Sequence, residues 1–140
     1  VDCDSGREWT ALQIIDAIET LAVKFSESGI RKGDVVAFFC PNSDLHAISF
    51  CALLAIGGIY TGLIHKNPLR ELNNVITTAG ASYLICCQEN IDISKQLISS
   101  TNVIKFTQVL NSLKKMFLKL SLNLNAIVFL SNDSKEAPFD

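Results

Sequence analysis

The sequence lacks the features that mark several common functions. No run of lysines or arginines occurs in its 140 residues, and the formal net charge is −2, so it shows no basic surface of the kind that binds nucleic acid. The one basic cluster consists of Lys114, Lys115 and Lys119. We expect these side chains to lie on a solvated helix face, and the alternative is a surface that meets an anion or a membrane.

Cysteine is present, but not in a metal-binding or redox pattern. None of the five cysteines has a partner at the two-residue gap that zinc sites and dithiol redox motifs need. Cys40, Cys51, Cys86 and Cys87 lie inside apolar runs, where cysteine behaves as a small buried hydrophobic side chain. This usage suits a reducing compartment, so we expect an intracellular protein.

Motifs that carry catalysis are also missing. There is no Gly-Lys-Ser/Thr triplet, the glycines Gly57, Gly58 and Gly62 do not have dinucleotide-binding spacing, and no serine has the flanking glycines of a nucleophile elbow. The two histidines, His46 and His65, have no partner at metal-site or triad spacing, so each is expected to be a local cap or a satisfied polar group. We therefore assign no catalytic, cofactor-binding or metal-binding residue.

Targeting signals are equally sparse. No secretory leader opens the chain, which begins with Val1 rather than methionine and so leaves its natural start open. Residues 47–64 form a stretch without a charge at the length where a transmembrane helix becomes a candidate. Because Gly57, Gly58 and Gly62 interrupt it, a buried helix, a glycine turn and a strand are favoured over a membrane span.

What the chain does contain is an alternation of helix and strand patterns. In residues 11–25 apolar side chains recur every three or four positions, which predicts a surface helix. Thr10 and Gln13 have the capping-box pattern at its start, and Gly29 is suited to end it. The continuous apolar run at residues 35–40 is typical of a strand that is covered on both faces, as in parallel sheets.

The turn Pro41-Asn42-Ser43 links this strand to a second helix. Pro41 stops the strand, and Asn42 or Ser43 caps the helix at residues 45–56, which is apolar nearly all round and is expected to be enclosed. Free backbone N–H groups at that helix start could receive an anion. Capping explains the same residues without a ligand and is the favoured interpretation.

The alternation continues along the rest of the chain. Asn67 is expected to cap a third helix with Pro68 at its first position, and Gly80 to close it. The remaining expected strands are residues 59–64, 83–87 and 126–130, and the remaining expected helices are residues 68–79, 91–100 and 106–120. This rhythm predicts an α/β fold with a mostly parallel sheet, right-handed crossovers and helices on both faces. Residues 1–130 are expected to form one domain, and residues 131–140 a linker or a truncated end.

Six short motifs, taken in order, resemble the beginning of the adenylate-forming enzymes. They are Trp9-Thr10-Ala11-Leu12, the turn at residues 29–34, Pro41-Asn42-Ser43, the run Leu-Ala-Ile-Gly-Gly-Ile-Tyr-Thr-Gly at residues 54–62, Asn67-Pro68, and Arg70-Glu71-Leu72. Within that superfamily the pattern is most similar to fatty acyl-CoA synthetases, 4-coumarate-CoA ligases and beetle luciferases. The resemblance covers about residues 4–87, with weaker support to Leu130. His65 and Lys66 depart from it, since relatives pass more directly from the glycine to asparagine-proline.

The resemblance implies the first subdomain of the large N-terminal domain of a ligase. Such an enzyme uses ATP and Mg²⁺ to turn a carboxylic acid, here a fatty acid, into an acyl-adenylate, and then passes the acyl group to coenzyme A. In the family the phosphate loop ending in Pro-Lys-Gly, the adenine-binding segment, the hinge and the catalytic lysine lie beyond this region, and none of them occurs here. We therefore expect this chain to bind none of the cofactors and to be inactive alone, with the remainder of the parent enzyme as its partner.

A second hypothesis is a non-catalytic α/β module, such as a truncated isoform, that binds a partner or a small anion. The acid substrate and its chain length stay open under the first hypothesis. So does the choice among peroxisome, mitochondrion and endoplasmic reticulum surface.

Overall fold

Helices and strands alternate along the chain in a computed structural model, which describes residues 1–3, 5–101 and 128–130. The elements are α1 (Ala11–Glu27), β1 (Val35–Phe39), α2 (Asp44–Ala55), β2 (Ile59–Gly62), α3 (Leu69–Ala79), β3 (Tyr83–Cys86), a 3₁₀ turn (Gln88–Asn90), α4 (Ile91–Ser100) and β4 (Val128–Leu130). The expected helix at residues 106–120, the lysine cluster within it and the tail at residues 131–140 lie outside the described residues. The domain boundary at residue 130 therefore stays a prediction.

The strands form one sheet in the order β2-β1-β3-β4. β1 pairs in parallel with β2, from Val35 opposite Ile59 onward, and in parallel with β3, up to Phe39 opposite Cys86. The predicted α/β fold with a mostly parallel sheet is confirmed. β4 differs from the expectation of crossover connections throughout, because it runs antiparallel to β3. Hydrophobic periodicity does not encode strand direction.

β1 is covered on both faces, as its unbroken apolar run predicts. Val36 and Phe38 belong to one buried cluster, which α1 and α2 complete. Ala37 and Phe39 belong to a second cluster with side chains of α3 and α4. Successive side chains of a strand point to opposite faces, so the helices lie on both faces of the sheet and the core is in two layers around β1.

The helix ends follow the expected local chemistry with one exception. The Thr10 side chain accepts from the Gln13 backbone N–H at 3.2 Å, and the Gln13 side chain accepts from the Thr10 N–H at 2.9 Å. Gly29 and Gly80 have φ angles of 95° and 64°, in the left-handed region that glycine favours. The expected Asn67 cap is wrong by one residue: the extended Pro68 (ψ 152°) is itself the cap, and α3 begins after it.

Helix α2 is not enclosed, contrary to the expectation from its apolar sequence. One side packs on α1 and another faces the sheet. Along a third side the residues are exposed, and Leu54 retains 50% of its accessible surface. Cys51 is exposed, contrary to expectation, whereas Cys86 and Cys87 are buried as expected and Cys40 is half-buried. An apolar sequence around a helix indicates burial only if partners surround it.

No helix in the described part of the chain is both long and apolar enough to span a membrane. The uncharged stretch at residues 47–64 instead divides into α2, a turn at Gly57 and Gly58, and β2. The structure therefore shows a helix, a glycine turn and a strand in that stretch, as the sequence favours.

Replacing Gly58 by alanine is expected to lower the free energy of unfolding by about 1–3 kcal/mol, the usual cost of overpacking a core. A Cβ atom there would overlap Leu53 Cδ1 and lie 3.2 Å from the Leu53 carbonyl oxygen, and the Leu53 side chain is fully buried. Urea unfolding followed by circular dichroism measures the change. In the control Gly62→Ala, the new Cβ would meet the Tyr60 hydroxyl, at the end of a movable side chain, so a smaller loss is expected. Equal midpoints for Gly58→Ala and the unchanged chain would contradict this packing.

Candidate functional site

The turn from β1 into α2 lies at the carboxyl edge of the parallel strands, where ligands bind in open α/β sheets. Two grooves flank the start of α2. The first, of about 510 Å³, lies between α1, α2 and the N-terminal residues and is here called the α1–α2 groove. The second, of about 360 Å³, is lined by Asn42, Ser43, His46, Ala47, Phe50 and Tyr60 and is here called the aromatic groove.

The carboxylate of Asp44 organises the first groove. Arg7 binds it with two hydrogen bonds, Nε to Oδ2 and Nη2 to Oδ1, each 2.7 Å long. Trp9 donates its Nε1–H to Oδ2 at 2.9 Å, and the backbone N–H of Leu45 donates to Oδ1 at 2.8 Å. Only 7% of the Asp44 side chain is exposed. This bidentate, shielded pair ties the segment before α1 to the start of α2.

The charge of Asp44 also affects whether an anion could bind at the start of α2. Burial by itself would raise the pKa of the Asp44 carboxyl, but hydrogen bonds from Arg7 and Trp9 outweigh it and hold that pKa below its usual value. The neighbouring Ser43 hydroxyl accepts the His46 backbone N–H at 3.1 Å and caps the helix. A bound anion at this helix start would therefore meet a capped terminus and an ionised carboxylate.

The aromatic groove contains a hydrogen-bonded chain. His46 Nδ1 lies 3.2 Å from the carbonyl oxygen of Pro41, and His46 Nε2 lies 3.3 Å from the Tyr60 hydroxyl. Because a carbonyl can only accept, Nδ1 must carry the proton in the neutral ring, and Nε2 accepts from the Tyr60 O–H. This satisfies His46 locally, as the sequence predicts, whereas His65 lies exposed beside Lys66 in the turn after β2.

Aromatic rings pack against the hydrogen-bonded His46 and Tyr60 side chains. Phe38 of β1 stacks on His46 with ring centres 5.4 Å apart, and Phe50 meets Tyr60 edge-on at 5.0 Å. Burial raises the pKa of the Tyr60 phenol, and the neighbouring Cys40 raises it further. The Tyr60 hydroxyl is therefore a neutral hydrogen-bond donor at physiological pH.

Hydrogen bonds and ring contacts are what these groups supply to the two grooves. Within residues 1–3, 5–101 and 128–130, no three His, Cys, Asp or Glu side chains are arranged to hold a metal ion. In the aromatic groove Ser43 serves as a helix cap and the Tyr60 phenol stays protonated, so neither hydroxyl is an activated nucleophile.

Sequence reasoning missed both hydrogen-bonded groups. Arg7 and Trp9 lie 37 and 35 positions from Asp44, and nothing local links them. The one available signal is that Trp9 and Asp44 each adjoin a helix cap. When the capped starts of two helices lie at the same edge of a sheet, the residues next to the caps come close together.

A sequence model of the AMP-binding enzyme family matches residues 1–133 of the chain. This chain belongs to the AMP-binding enzyme family. The match extends well beyond the six motifs, and it agrees with the likeness to adenylate-forming enzymes that they indicate.

Individual members of the AMP-binding enzyme family show the same relationship. A probable CoA ligase of Humulus lupulus is 35% identical over 77 residues, which are 55% of this chain and 14% of that protein. A peroxisomal OPC-8:0-CoA ligase of Arabidopsis thaliana is 31% identical over 107 residues, which are 76% of this chain and 16% of that protein. This chain therefore spans about one seventh of the length of these curated relatives.

The fold is shared with a solved structure as well. Coronafacic acid ligase from Pectobacterium brasiliense superposes with a TM-score of 0.67 at 21% identity, over 72% of this chain and 20% of that one. The likeness shows that the alternating helices and strands of this AMP-binding enzyme chain adopt the arrangement found in that ligase.

The Arg7–Asp44 pair predicts that the variant Asp44→Asn loses folding stability in a pH-dependent way. At pH 7 the variant should be less stable by about 1.5–3 kcal/mol, the usual worth of hydrogen bonds to a charged group. The folded pKa of Asp44 is depressed, so its contribution is complete above the unfolded value of about 3.9 and is lost as the pH falls through the folded pKa. Urea midpoints of the two chains should thus converge below about pH 4.

The exposed pair Lys24–Glu27 provides a control for this measurement. Its two side chains lie 2.6 Å apart on the surface of α1, three residues from each other. Glu27→Gln is expected to change stability by less than about 0.5 kcal/mol at any pH. Equal losses in Asp44→Asn and Glu27→Gln at pH 7 would contradict a special role for the shielded pair.

The hydrogen bonds of His46 predict its tautomer. Long-range ¹H–¹⁵N correlation spectra of the neutral ring should show the proton on Nδ1. In Tyr60→Phe the Pro41 carbonyl remains, so the same tautomer should persist while the shift of Nε2 changes. If the protein without substitutions carried the proton on Nε2, the hydrogen bonds assigned to His46 would be wrong.

Proposed function

We propose that this chain is the N-terminal subdomain of an acid–thiol ligase. The complete enzyme would activate a carboxylic acid with ATP and Mg²⁺ as an acyl-adenylate, and then transfer the acyl group to coenzyme A. The observation that carries the proposal is the family match over residues 1–133, and two relatives bearing the name CoA ligase support it. A fatty acid is the proposed substrate class, on the strength of the likeness to fatty acyl-CoA synthetases. An intracellular location belongs to the same proposal.

The role we propose for these residues is structural. Two observations support a chain that does not itself bind ATP or Mg²⁺: the Ser43 side chain already caps the one well-placed helix start, and the described residues contain no cluster of three His, Cys, Asp or Glu that could hold a metal ion. β1 and its two layers of helices would instead form a structural part of the adenylating domain. The Arg7–Asp44 pair and the His46–Tyr60 pair would stiffen the carboxyl edge of its sheet.

The isolated 140-residue chain is expected to release no pyrophosphate above background with ATP, Mg²⁺, coenzyme A and a panel of fatty and hydroxycinnamic acids. A full-length relative in the same assay provides the positive control. Pyrophosphate release that depends on both chain and acid would refute the proposal of an inactive subdomain. The transcript downstream of codon 140 should encode a loop rich in Ser, Thr and Gly that ends in Pro-Lys-Gly, and an unrelated continuation would remove the ligase assignment itself.

A non-catalytic interaction module is the second candidate, and the exposed apolar surface favours it. Leu12 and Val23 on α1 are 78% and 55% exposed, and Leu54 on α2 is 50% exposed. Apolar surface of this kind marks sites of association when it is contiguous. The module requires a chain that unfolds cooperatively by itself. Differential scanning calorimetry should then show one sharp transition, and a broad transition with aggregation would count against the module.

A further inference from the structure

We propose that Cys40 and Cys87 form an intramolecular disulfide when a peroxide oxidises the chain. The two cysteines lie at the carboxyl ends of the central strand β1 and of β3. The proposed bond is independent of the ligase assignment, since it rests only on the geometry of these two strands.

The sheet register places the two residues side by side. Phe39 of β1 lies opposite Cys86 of β3 in the last pair of the two strands, and Cys40 and Cys87 are the residues that directly follow this pair. Neighbouring strands are about 4.8 Å apart, within the range of Cα separations that a disulfide spans. The thiol of Cys40 already points across to β3, because its Sγ lies 3.6 Å from the carbonyl oxygen of Ile85.

The two thiols also share a face of the sheet. Cys86 belongs to the same buried cluster as Phe39, and the next residue of each strand turns to the opposite face. Cys40 packs against the other cluster, and if the alternation continues past Cys86 the Cys87 side chain is directed to the same side. Cys86 lies in the opposite cluster from Cys40, and the exposed Cys51 lines the α1–α2 groove.

The oxidation balances with one peroxide per bond. The sulfur of Cys40 attacks a peroxide oxygen, the O–O bond breaks, and one water leaves a sulfenic acid on Cys40. The sulfur of Cys87 then attacks that sulfur, the S–O bond breaks, and a second water leaves the disulfide. The two thiols are oxidised by two electrons in total, and the peroxide is reduced.

The surroundings predict a bond that forms slowly and persists. Cys40 is half-buried, so a small oxidant reaches it, while Cys87 retains only 5% exposure. Burial raises the pKa of the Cys40 thiol, and the neighbouring Cys87 and Cys86 raise it further. Thiols of high pKa attack oxidants slowly and are poor leaving groups in later thiol exchange. The disulfide would fix the end of β1 to β3 directly before the turn into α2.

The test is oxidation of the full chain with hydrogen peroxide, followed by thiol counting in denaturant and peptide mapping. We expect the thiols of Cys40 and Cys87 to be lost together from a monomer and both to be recovered with dithiothreitol, whatever the exposed Cys3 and Cys51 do. Trypsin should yield a link between residues 33–66 and 71–95, which tandem mass spectra assign to Cys40 and Cys87. The melting temperature should rise by about 5 °C or more, since the bond closes a loop of about 50 residues.

Matched variants separate this bond from other thiol chemistry. Cys51→Ala should keep the link, whereas Cys40→Ala and Cys87→Ala should each abolish it. Peptide mapping of the unchanged chain is decisive by itself if a variant folds poorly. A link to Cys51 or Cys3, a Cys86–Cys87 bond, or Cys40 and Cys87 still free once Cys51 is fully oxidised would each overturn the proposal.

Discussion

The fold depends on one constraint, that strand β1 has no solvent-facing side. Val36, Ala37, Phe38 and Phe39 are all buried, alternately toward the two layers of helices. Val36, Phe38 and Phe39 each contribute about 1.5–3 kcal/mol when fully buried. Their burial requires helices above and below the sheet and a strand on either side. The crossover connections, the parallel pairing with β2 and β3 and the two-layered core all satisfy this requirement.

The same strand also determines where polar chemistry occurs. β1 ends two residues before Pro41, and the chain turns into α2 at the carboxyl edge of the sheet. Asp44, in the first turn of α2, receives hydrogen bonds from Arg7 and Trp9, and His46, two residues later, lies over Phe38. The two hydrogen-bonded groups are therefore consequences of the β1–α2 turn, and they hold segments of the chain in place.

The sequence predicts those parts of the structure that depend on neighbours in the chain. The capping box at Thr10, the left-handed glycines and the doubly covered β1 are encoded by short patterns, and the structure confirms them. Exposure of Cys51 and the antiparallel direction of β4 depend on what lies across space, and local patterns do not contain that information. The Arg7–Asp44 pair was missed for the same reason. No site residue was predicted, and the grooves at α2 became visible only with the fold.

We propose, on the basis of family membership, that these residues are framework and that the nucleotide chemistry belongs to other segments of the enzyme. Titration of the ¹⁵N-labelled chain with MgATP tests it most directly. The account predicts that amide signals of the β1–α2 turn do not shift up to millimolar nucleotide. Saturable shifts centred on Ser43 and Asp44 would contradict it, because they would place a nucleotide site within this chain.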